Sequence, residues 1–282
     1  MRLLEKARLL IEAIERFSLA RQRILKQRAM EEAEVEIKMI MRDYFKRQGR
    51  LFLQQFAKLE KEFPIEEAVN PGDIDDIMEF VGAQTADDLQ IALKAPIGAI
   101  LAKAASNMLE IAGADNIDIA WNLKNPAAVK WVESHGAELV AGIDETTRSA
   151  MSDLLTRAVE EGWSYGHTAR EIKSNFDGFA GLKPQGHIHN RAEGVAVTES
   201  RFAYEQGNLR TAEALRDLGL NMEKSWYVSG DEMQCEDCEL NGDEGWIPLD
   251  DNFPSGDDAP PAHPYCRCDL LIQRVGAGEY GD

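Results

Sequence analysis

Three observations in the sequence predict a mainly α-helical protein with a small β-rich unit at its C-terminal end, an α+β fold. Apolar residues recur at three- and four-residue steps through most of the chain as far as Leu218, which is the period of an amphipathic helix. After Gly219 the pattern changes to short apolar runs between turn residues and acids, which favours short strands. The four cysteines of the chain all lie within residues 235–268, a clustering that is typical of a metal site in a reducing compartment.

The first helix is predicted from residue 1 to about residue 48, because no Gly or Pro interrupts the helical pattern before Gly49. The pattern resumes at Leu51 and continues to Phe63, next to Pro64. A helix of this length either lies along the surface of a partner or packs against a second helix of the same chain. The sequence leaves both arrangements open.

Two shorter helices are predicted to follow. Asp73 is suited to cap a short helix that runs through Phe80, and Thr85 is suited to cap an Ala-rich helix that Pro96 kinks or divides. A linker is then predicted at residues 113–116, where Gly and Asn interrupt the helical pattern.

The linker predicts two domains, a helical N-terminal region over residues 1–120 and a second domain over residues 121–282. Residue types that favour helix ends divide the second domain into helices. The predicted N-caps are Asn125, Asp144 and Ser164, and the predicted C-caps are Gly162 and Gly219. Three short strands are predicted near the end of the chain, at residues 226–228, 246–247 and 270–272.

The C-terminal cysteines form two spaced motifs that predict a zinc site. Cys235 and Cys238 make a CxxC pair, and His263, Cys266 and Cys268 make an HxxCxC motif. These are five candidate ligands for Zn²⁺, which takes four in a tetrahedral structural site, so one of them is expected to stand outside the first coordination shell. The predicted fold is therefore mainly α with a small β-rich, zinc-stabilised C-terminal unit spanning residues 226–272.

Other states of the cluster remain open at this point. The thiols could be buried without a metal, or they could form disulfides. If the metal kept an open coordination position, the site could support hydrolysis, and the nearby carboxylates would be candidate bases. Those carboxylates belong to Asp231, Glu232 and Asp237.

Charge is distributed unevenly along the chain. The net charge of −19 argues against a nucleic-acid-binding role for the whole chain, because phosphate contact needs clustered Lys and Arg. Residues 1–50, however, hold 13 Lys/Arg and 8 Asp/Glu, so the N-terminal helix is basic and the two ends should prefer different partners. No apolar block typical of export and no uninterrupted apolar stretch of about 20 residues occurs, so the composition is that of a soluble protein without a membrane partner.

Three segments of the second domain carry a recognisable succession of motifs. The first is RAEGVAVTES at 191–200, the second is Trp226 followed by Asp231, Cys235, Cys238 and Gly242, and the third is PPAHPYCRC at 260–268. In this order they resemble the phage Mu protein F-like family of phage head morphogenesis proteins, which are minor capsid proteins. The resemblance covers about residues 191–268, and residues 125–176 are similar to the family's preceding region more loosely.

The resemblance implies a structural minor head protein of the virion and not an enzyme. It implies assembly in the host cytoplasm, a place at the portal vertex or in the head interior, and a part in head morphogenesis and DNA packaging or delivery. The implied partners are the portal protein and other head proteins, and the basic N-terminal helix could add a weak contact with packaged DNA. The alternative is a zinc-scaffolded nuclease or hydrolase, in which His187 or His189 would take part.

A few further residues attract a functional interpretation, but ordinary structural roles are expected for them. Arg191 and Glu199 are eight residues apart and share one helix face, where neighbours can satisfy them. Thr198 is expected to bond a backbone carbonyl one turn back. The acidic stretches 250–252 and 257–258 lack the spacing of an EF-hand, so a solvated loop is expected there in preference to a calcium site.

Overall fold

The computed structural model of the chain describes residues 3–62, 71–114, 125–181, 191–230 and 235–275, without the side chains of 3–19, 60–62 and 71. These residues form six α-helices and three β-strands. The helices are α1 Leu3–Glu62, α2 Pro71–Ile111, α3 Pro126–Glu160, α4 Tyr165–Phe179, α5 Arg191–Asp217 and α6 Glu236–Asp243. The strands are β1 Met222–Tyr227, β2 Trp246–Pro248 and β3 Asp269–Arg274. The prediction of a mainly helical protein with a small β-rich part is confirmed.

Helix α1 continues through Gly49, where the sequence predicted an interruption. The reason lies in packing, because a Cβ atom at Gly49 would stand only 2.7 Å from the Cβ atom of Phe176 in α4. Glycine therefore permits a close approach of two helices here. The aromatic rings of Phe52 and Phe176 lie 5.9 Å apart, and those of Phe56 and Tyr165 lie 4.3 Å apart, so the same two helices share an aromatic contact.

Helix α2 is a single helix from Pro71 to Ile111, so the predicted division into two capped helices is wrong. Thr85 lies buried in its interior and donates its hydroxyl proton to the Val81 carbonyl at 2.8 Å, which is a bond within the helix and not a cap. Asp73 stands in the first turn, where a carboxylate is favourable to the helix dipole. Pro96 lies inside this helix and does not divide it.

The caps of α3 and α4 test the local predictions directly. Asn125 Oδ1 accepts a hydrogen bond from the Ala127 N–H at 2.9 Å, and Ser164 Oγ accepts one from the His167 N–H at 3.3 Å, so both N-caps are confirmed. Gly162 follows α3 with φ of 65°, the left-handed conformation expected of a C-cap. Asp144, in contrast, is wrong as a cap because it lies in the middle of α3.

The Asp144 carboxylate has a different partner set from the one the sequence predicted. It accepts hydrogen bonds from the Tyr44 hydroxyl at 2.5 Å and from Gln48 Nε2 at 2.7 Å, both in α1. Burial and the neighbouring Asp144 raise the pKa of Tyr44. The carboxylate therefore joins two helices at a half-buried position, and α3 needs no break there.

The three strands form one antiparallel sheet in the order β2-β1-β3. The register pairs Trp226 with Leu270 and Lys224 with Ile247. A strand occurs at each of the three predicted places, although β1 begins at Met222, four residues before the predicted start. Gly219, with φ of 93°, follows the end of α5 as predicted. The sequence did not predict the short helix α6, which begins directly after Cys235.

The chain forms two compact units, and each unit combines segments from before and after residue 120. The first comprises residues 1–34, 97–129 and 197–282, and the second comprises 35–96 and 130–196. The boundary near residue 120 stays a prediction as a division between independently folding domains.

The first unit contains the sheet and a core in which all the packed residues are nearly inaccessible to solvent. Its fully or almost fully buried members include Met108, Leu209, Ala212, Trp226, Cys238, Phe253, Cys266, Cys268, Leu270 and Ile272. Three of the four cysteines are thus part of a continuous apolar core, and this position excludes water from their sulfur atoms.

Helix α2 is long and apolar enough from Gly72 to Ile111 to cross a bilayer by length and composition. Half of its most apolar window is buried inside the protein. A single half-buried helix of this kind is also what the core of a helical protein contains, so it is weak support for a membrane span.

Candidate metal centre

The two cysteine motifs meet at one place in the first unit. Cys235 is the N-cap of α6 and Cys238 lies in its first turn, while His263 and Cys266 lie in the loop between β2 and β3. Cys268 directly precedes β3. The side chain of Cys235 accepts a hydrogen bond from the Cys238 N–H at 3.5 Å, which is the local contact that turns both thiols to the same side.

The ligand atoms form two groups that share one member. The atoms of Cys235, Cys238 and His263 lie within 4.8 Å of one another, and so do those of Cys238, Cys266 and Cys268. Among the described residues these are the groups of three or more metal-ligand side chains that could hold an ion. The five residues singled out by their spacing are therefore one contiguous cluster centred on Cys238.

Two distances in the cluster agree with tetrahedral zinc coordination. With Zn–S of about 2.3 Å and Zn–N of about 2.0 Å, tetrahedral angles place two sulfurs about 3.8 Å apart and a sulfur and a nitrogen about 3.5 Å apart. The Cys238 and Cys266 sulfurs are 3.8 Å apart, and Cys238 Sγ lies 3.6 Å from His263 Nε2. All four cysteines are free, and a disulfide would need a sulfur–sulfur distance of about 2.0 Å, so the disulfide alternative has no support.

The imidazole of His263 is oriented by its own loop. Its Nδ1 lies 2.9 Å from the Pro264 carbonyl oxygen, which can only accept a hydrogen bond. Nδ1 therefore carries the proton, and Nε2 presents its lone pair toward Cys238. A ring nitrogen fixed through a backbone carbonyl in this way is the usual arrangement of a histidine that binds a metal through its other nitrogen.

Three thiols packed together in an apolar core influence each other's ionisation. Burial raises the pKa of Cys238 to about 12. The thiol of Cys268 donates a hydrogen bond to Cys266, which lowers the pKa of Cys266 to about 5 and raises that of Cys268. One thiolate is therefore favoured within the group, and a second needs a positive charge close by, as a divalent cation supplies.

The turn that contains Cys266 is hydrogen-bonded to α5. Tyr265 adopts φ of 63°, a left-handed conformation that non-glycine residues adopt only at a cost of about 1–3 kcal/mol. Its backbone N–H donates to the Thr198 hydroxyl at 3.1 Å, a contact that the expected bond of Thr198 within its own helix did not include. The Cys266 N–H donates to the His263 carbonyl at 3.0 Å and closes the turn.

The loop between the two motifs depends on a residue that the sequence reasoning missed. Asn241 in α6 is fully buried, its Nδ2 donates to Ser255 Oγ at 2.8 Å, and its Oδ1 accepts from the Ser255 N–H at 3.0 Å. The Ser255 hydroxyl in turn lies 2.7 Å from the Asp257 carboxylate. The signal in the sequence was an Asn three residues after Cys238, but its partner Ser255 lies 14 residues farther along the chain.

Basic residues pair with the acidic stretches at 250–252 and 257–258. Asp250 forms an ion pair with Arg216, and Asp258 lies 3.4 Å from Arg210. Asp257 accepts from Ser255, as above. Asp250, Asp257 and Asp258 thus each have a partner within the protein.

Arg191, in the second unit, is satisfied by its neighbours, as expected. Its guanidinium donates to Thr147 Oγ1 at 2.9 Å and to the Ile143 carbonyl at 3.2 Å, and it lies over the Phe45 and Phe179 rings at 5.1 and 4.7 Å. Burial lowers its pKa to about 10. Arg191 therefore has an architectural role between α3 and the aromatic residues.

Of the residues named for the enzymatic alternative, the structure describes Asp237. His187, His189, Asp231 and Glu232 are outside the described residues. Asp237 is exposed on α6 and belongs to neither ligand group. The described geometry therefore brings together five metal-ligand side chains and adds no candidate base to them.

One family comparison agrees with this geometry. The family model described as Phage Mu protein F like protein matches residues 149–271, from within α3 to within β3, and the match includes all five candidate ligands. No curated protein and no solved structure matches the chain. The family is the one that the three sequence motifs resemble, so residues 149–271 are similar to the Phage Mu protein F like family.

Proposed function

We propose that the protein is a structural minor head protein of a phage, acting at the portal vertex or in the head interior during head morphogenesis and DNA packaging or delivery. The observation that carries the proposal is the family match over residues 149–271, since that family suggests a head morphogenesis protein. The proposed partners are the portal protein and other head proteins, and the proposed location is the virion after assembly in the host cytoplasm.

The same proposal assigns a structural Zn²⁺ ion to the cysteine cluster. Its ligands are drawn from Cys235, Cys238, His263, Cys266 and Cys268, with the fifth side chain supporting the other four. The buried position of the thiols, the two tetrahedral-edge distances and the oriented imidazole support this assignment. When bound, the ion would supply on the order of 10 kcal/mol of folding free energy to a small sheet with a limited core.

A metal with four protein ligands serves architecture in this proposal. It leaves no coordination position for a water molecule, so hydrolysis is not part of the expected chemistry. It would fix residues 239–262, which connect the two motifs, against the sheet and α5. A fixed surface of this kind is what a head protein needs for docking, because binding a preorganised surface loses less conformational entropy.

Assembly into heads tests the proposal. We expect phage carrying Cys266→Ser to produce heads that lack this chain, and phage carrying Asp237→Asn to package it normally, because Asp237 is exposed and lies in the same motif region. The measurement is the amount of this chain in gradient-purified heads, with cross-linking to the portal protein. Normal incorporation of the Cys266→Ser chain, or absence of the wild-type chain from heads, would contradict the proposal.

The weak DNA contact is part of the proposal only for the basic N-terminal helix, and it rests on the charge of residues 1–50. Retention on DNA should weaken steeply as salt rises, because phosphate contacts release counterions. Salt-independent retention, or no retention, would remove this part. The purified protein with divalent metal should leave DNA uncut, whereas cutting that stops in His187→Ala or His189→Ala would establish the nuclease alternative.

A further inference from the structure

A polar groove of about 480 Å³ opens in the first unit beside the cysteine cluster. Its polar lining has seven residues, which are Arg23, Lys26 and Gln27 in α1, Arg201 in α5, Ser229 after β1, and Arg267 and Asp269 around the start of β3. Four of these seven side chains are cationic, and only one is acidic. This composition is unusual in a chain whose net charge is −19.

Part of this positive charge is neutralised inside the protein. Lys26 is almost fully buried and forms ion pairs with Glu205 and, at 2.5 Å, with Asp269. Arg23 Nε donates to the same Asp269 carboxylate at 3.0 Å. Glu205 and Asp269 therefore pair most closely with Lys26 and Arg23, and Arg201 and Arg267 have no carboxylate at comparable distance in this pair.

A further carboxyl group, that of Glu34, lies near the two arginines. Arg201 reaches Asp269 only at 3.9 Å. Glu34 interacts with Arg201 and Arg267, but burial outweighs their effect and raises the pKa of this carboxyl. Among the residues that line the groove itself, four are cationic and one is acidic, so the lining carries an excess of positive charge.

Two buried polar atoms of groove-lining residues have no hydrogen-bond partner among the described residues. They are Arg201 Nε and Ser229 Oγ. Buried donors of this kind are rare in native proteins and call for a specific explanation, such as a missing ligand. The backbone of Ser229 hydrogen-bonds to Cys268, so the position of this residue is fixed by the cysteine cluster.

We propose that this groove binds a phosphate group, which Arg201, Ser229 and Arg267 hold with Arg23 at the rim. Arginine presents a planar fork of donors that matches phosphate oxygens, and a serine hydroxyl adds a neutral donor. The donors come from α5, the segment after β1 and the segment before β3, so they approach from several directions. A tetrahedral oxyanion with acceptors on all sides uses such a set more fully than a planar carboxylate does.

The phosphate group could belong to free phosphate or to a nucleic-acid backbone, and the site chemistry is the same. The proposal does not rest on the assembly role or on the metal. It concerns the full-length protein in its purified form, so its failure leaves the proposed function untouched.

Calorimetric titration with inorganic phosphate at constant ionic strength, with chloride as the reference anion, tests the site. We expect saturable binding to the wild type and at least about tenfold weaker binding to Arg267→Gln and to Arg201→Gln, because each loses a charged donor. Arg28→Gln is the matched control, since Arg28 is exposed on α1 and does not line the groove. It should bind phosphate like the wild type.

Arg267 is exposed, so its substitution tests the site even if the Arg201 variant does not fold. A short single-stranded DNA that competes with phosphate at this site identifies a backbone phosphate as the ligand, whereas phosphate binding without such competition identifies a small phosphate compound. Absence of saturable phosphate binding by the wild type, or equal affinities of Arg267→Gln and Arg28→Gln, would overturn the proposal.

Discussion

Replacing Cys238 with serine removes the one thiol that belongs to both ligand groups of the cysteine cluster. The side chain is fully buried, and its sulfur lies 3.8 Å from that of Cys266 and 3.6 Å from the imidazole of His263. Serine keeps the size of the side chain nearly unchanged. The substitution therefore separates the loss of a metal ligand from the loss of packing.

The metal-free and the zinc-bound states of the cluster predict different losses of unfolding free energy for Cys238→Ser. Without a metal, Cys238→Ser leaves a buried hydroxyl with poor partners, which costs about 1–3 kcal/mol. With a structural zinc ion, the variant loses most of a contribution on the order of 10 kcal/mol. Since a domain of this size changes its Tm by about 2–4 °C per kcal/mol, the metal-free state predicts a drop of about 2–12 °C. The zinc-bound state predicts a drop beyond about 20 °C or the loss of a cooperative transition.

The assay combines metal analysis with thermal unfolding of the full chain, with and without a chelator. We expect the wild type to carry about one zinc ion per chain, as a four-ligand site predicts, and to lose stability with chelator, whereas Cys238→Ser should carry little metal and respond little. Asp237→Asn is the control, because Asp237 is exposed in the same turn and contributes no ligand. It should retain both metal and stability.

A specific outcome would refute the reasoning. If the wild type purifies without metal, and if chelator changes the Tm of the wild type and of Cys238→Ser equally, the cluster is a set of buried thiols. A Tm drop confined to the smaller range would agree with that result. The structural role of the cluster would then rest on packing alone.

Other predictions concern the helices around the sheet and the second unit. Lys26→Met should lower the free energy of unfolding by about 3–5 kcal/mol in chemical denaturation, because it leaves the buried Glu205 carboxylate without its cation. Adding Glu205→Gln should restore part of this loss, and no restoration would contradict the ion pair. Gly207→Ala should lower the free energy of unfolding by about 1–3 kcal/mol, because the new Cβ would lie 2.7 Å from the Cβ of Ala104. Gly142→Ala should raise it by about 0.5–1 kcal/mol, because a Cβ at this helical position meets nothing within 4 Å. Equal effects of the two substitutions would contradict the packing argument. Arg191→Lys should lower the unfolding free energy by about 1–3 kcal/mol, because lysine cannot reproduce the forked bonds or the stacking on two rings, and an unchanged value would show that these contacts contribute little.

The sequence predicted best what depends on neighbours within one or two turns. The N-caps Asn125 and Ser164 are confirmed because each bonds a backbone N–H two or three residues away. The CxxC and HxxCxC spacings likewise named the five side chains that the structure brings together, and their role as metal ligands stays a prediction. The three strands followed from the change of apolar pattern after Gly219.

Errors arose where a residue with a strong local preference serves a distant partner. Asp144 and Thr85 are of residue types that often cap helices, yet both lie inside helices. The contacts of Asp144 with Tyr44 and Gln48 outweigh a capping preference worth about 1 kcal/mol, and Thr85 is buried within α2. Glycine often marks the end of a helix, yet Gly49 lies inside α1 and leaves room for the side chain of Phe176 in α4. In each case the local signal was present, and a long-range contact decided its use.

The sequence by itself determined the helical class, the strands and the residues of the cysteine cluster, because all of these depend on periodicity or on spacing along the chain. Only the tertiary structure decided that Cys238 is shared by both ligand groups and that Lys26 meets Glu205 and Asp269, which are 179 and 243 residues away. Such pairs leave no pattern in a single sequence, since the free energy of a buried charge depends on the partner that folding brings to it. The groove beside the cluster likewise leaves no pattern in the sequence, because its donors come from segments that are neighbours only in space.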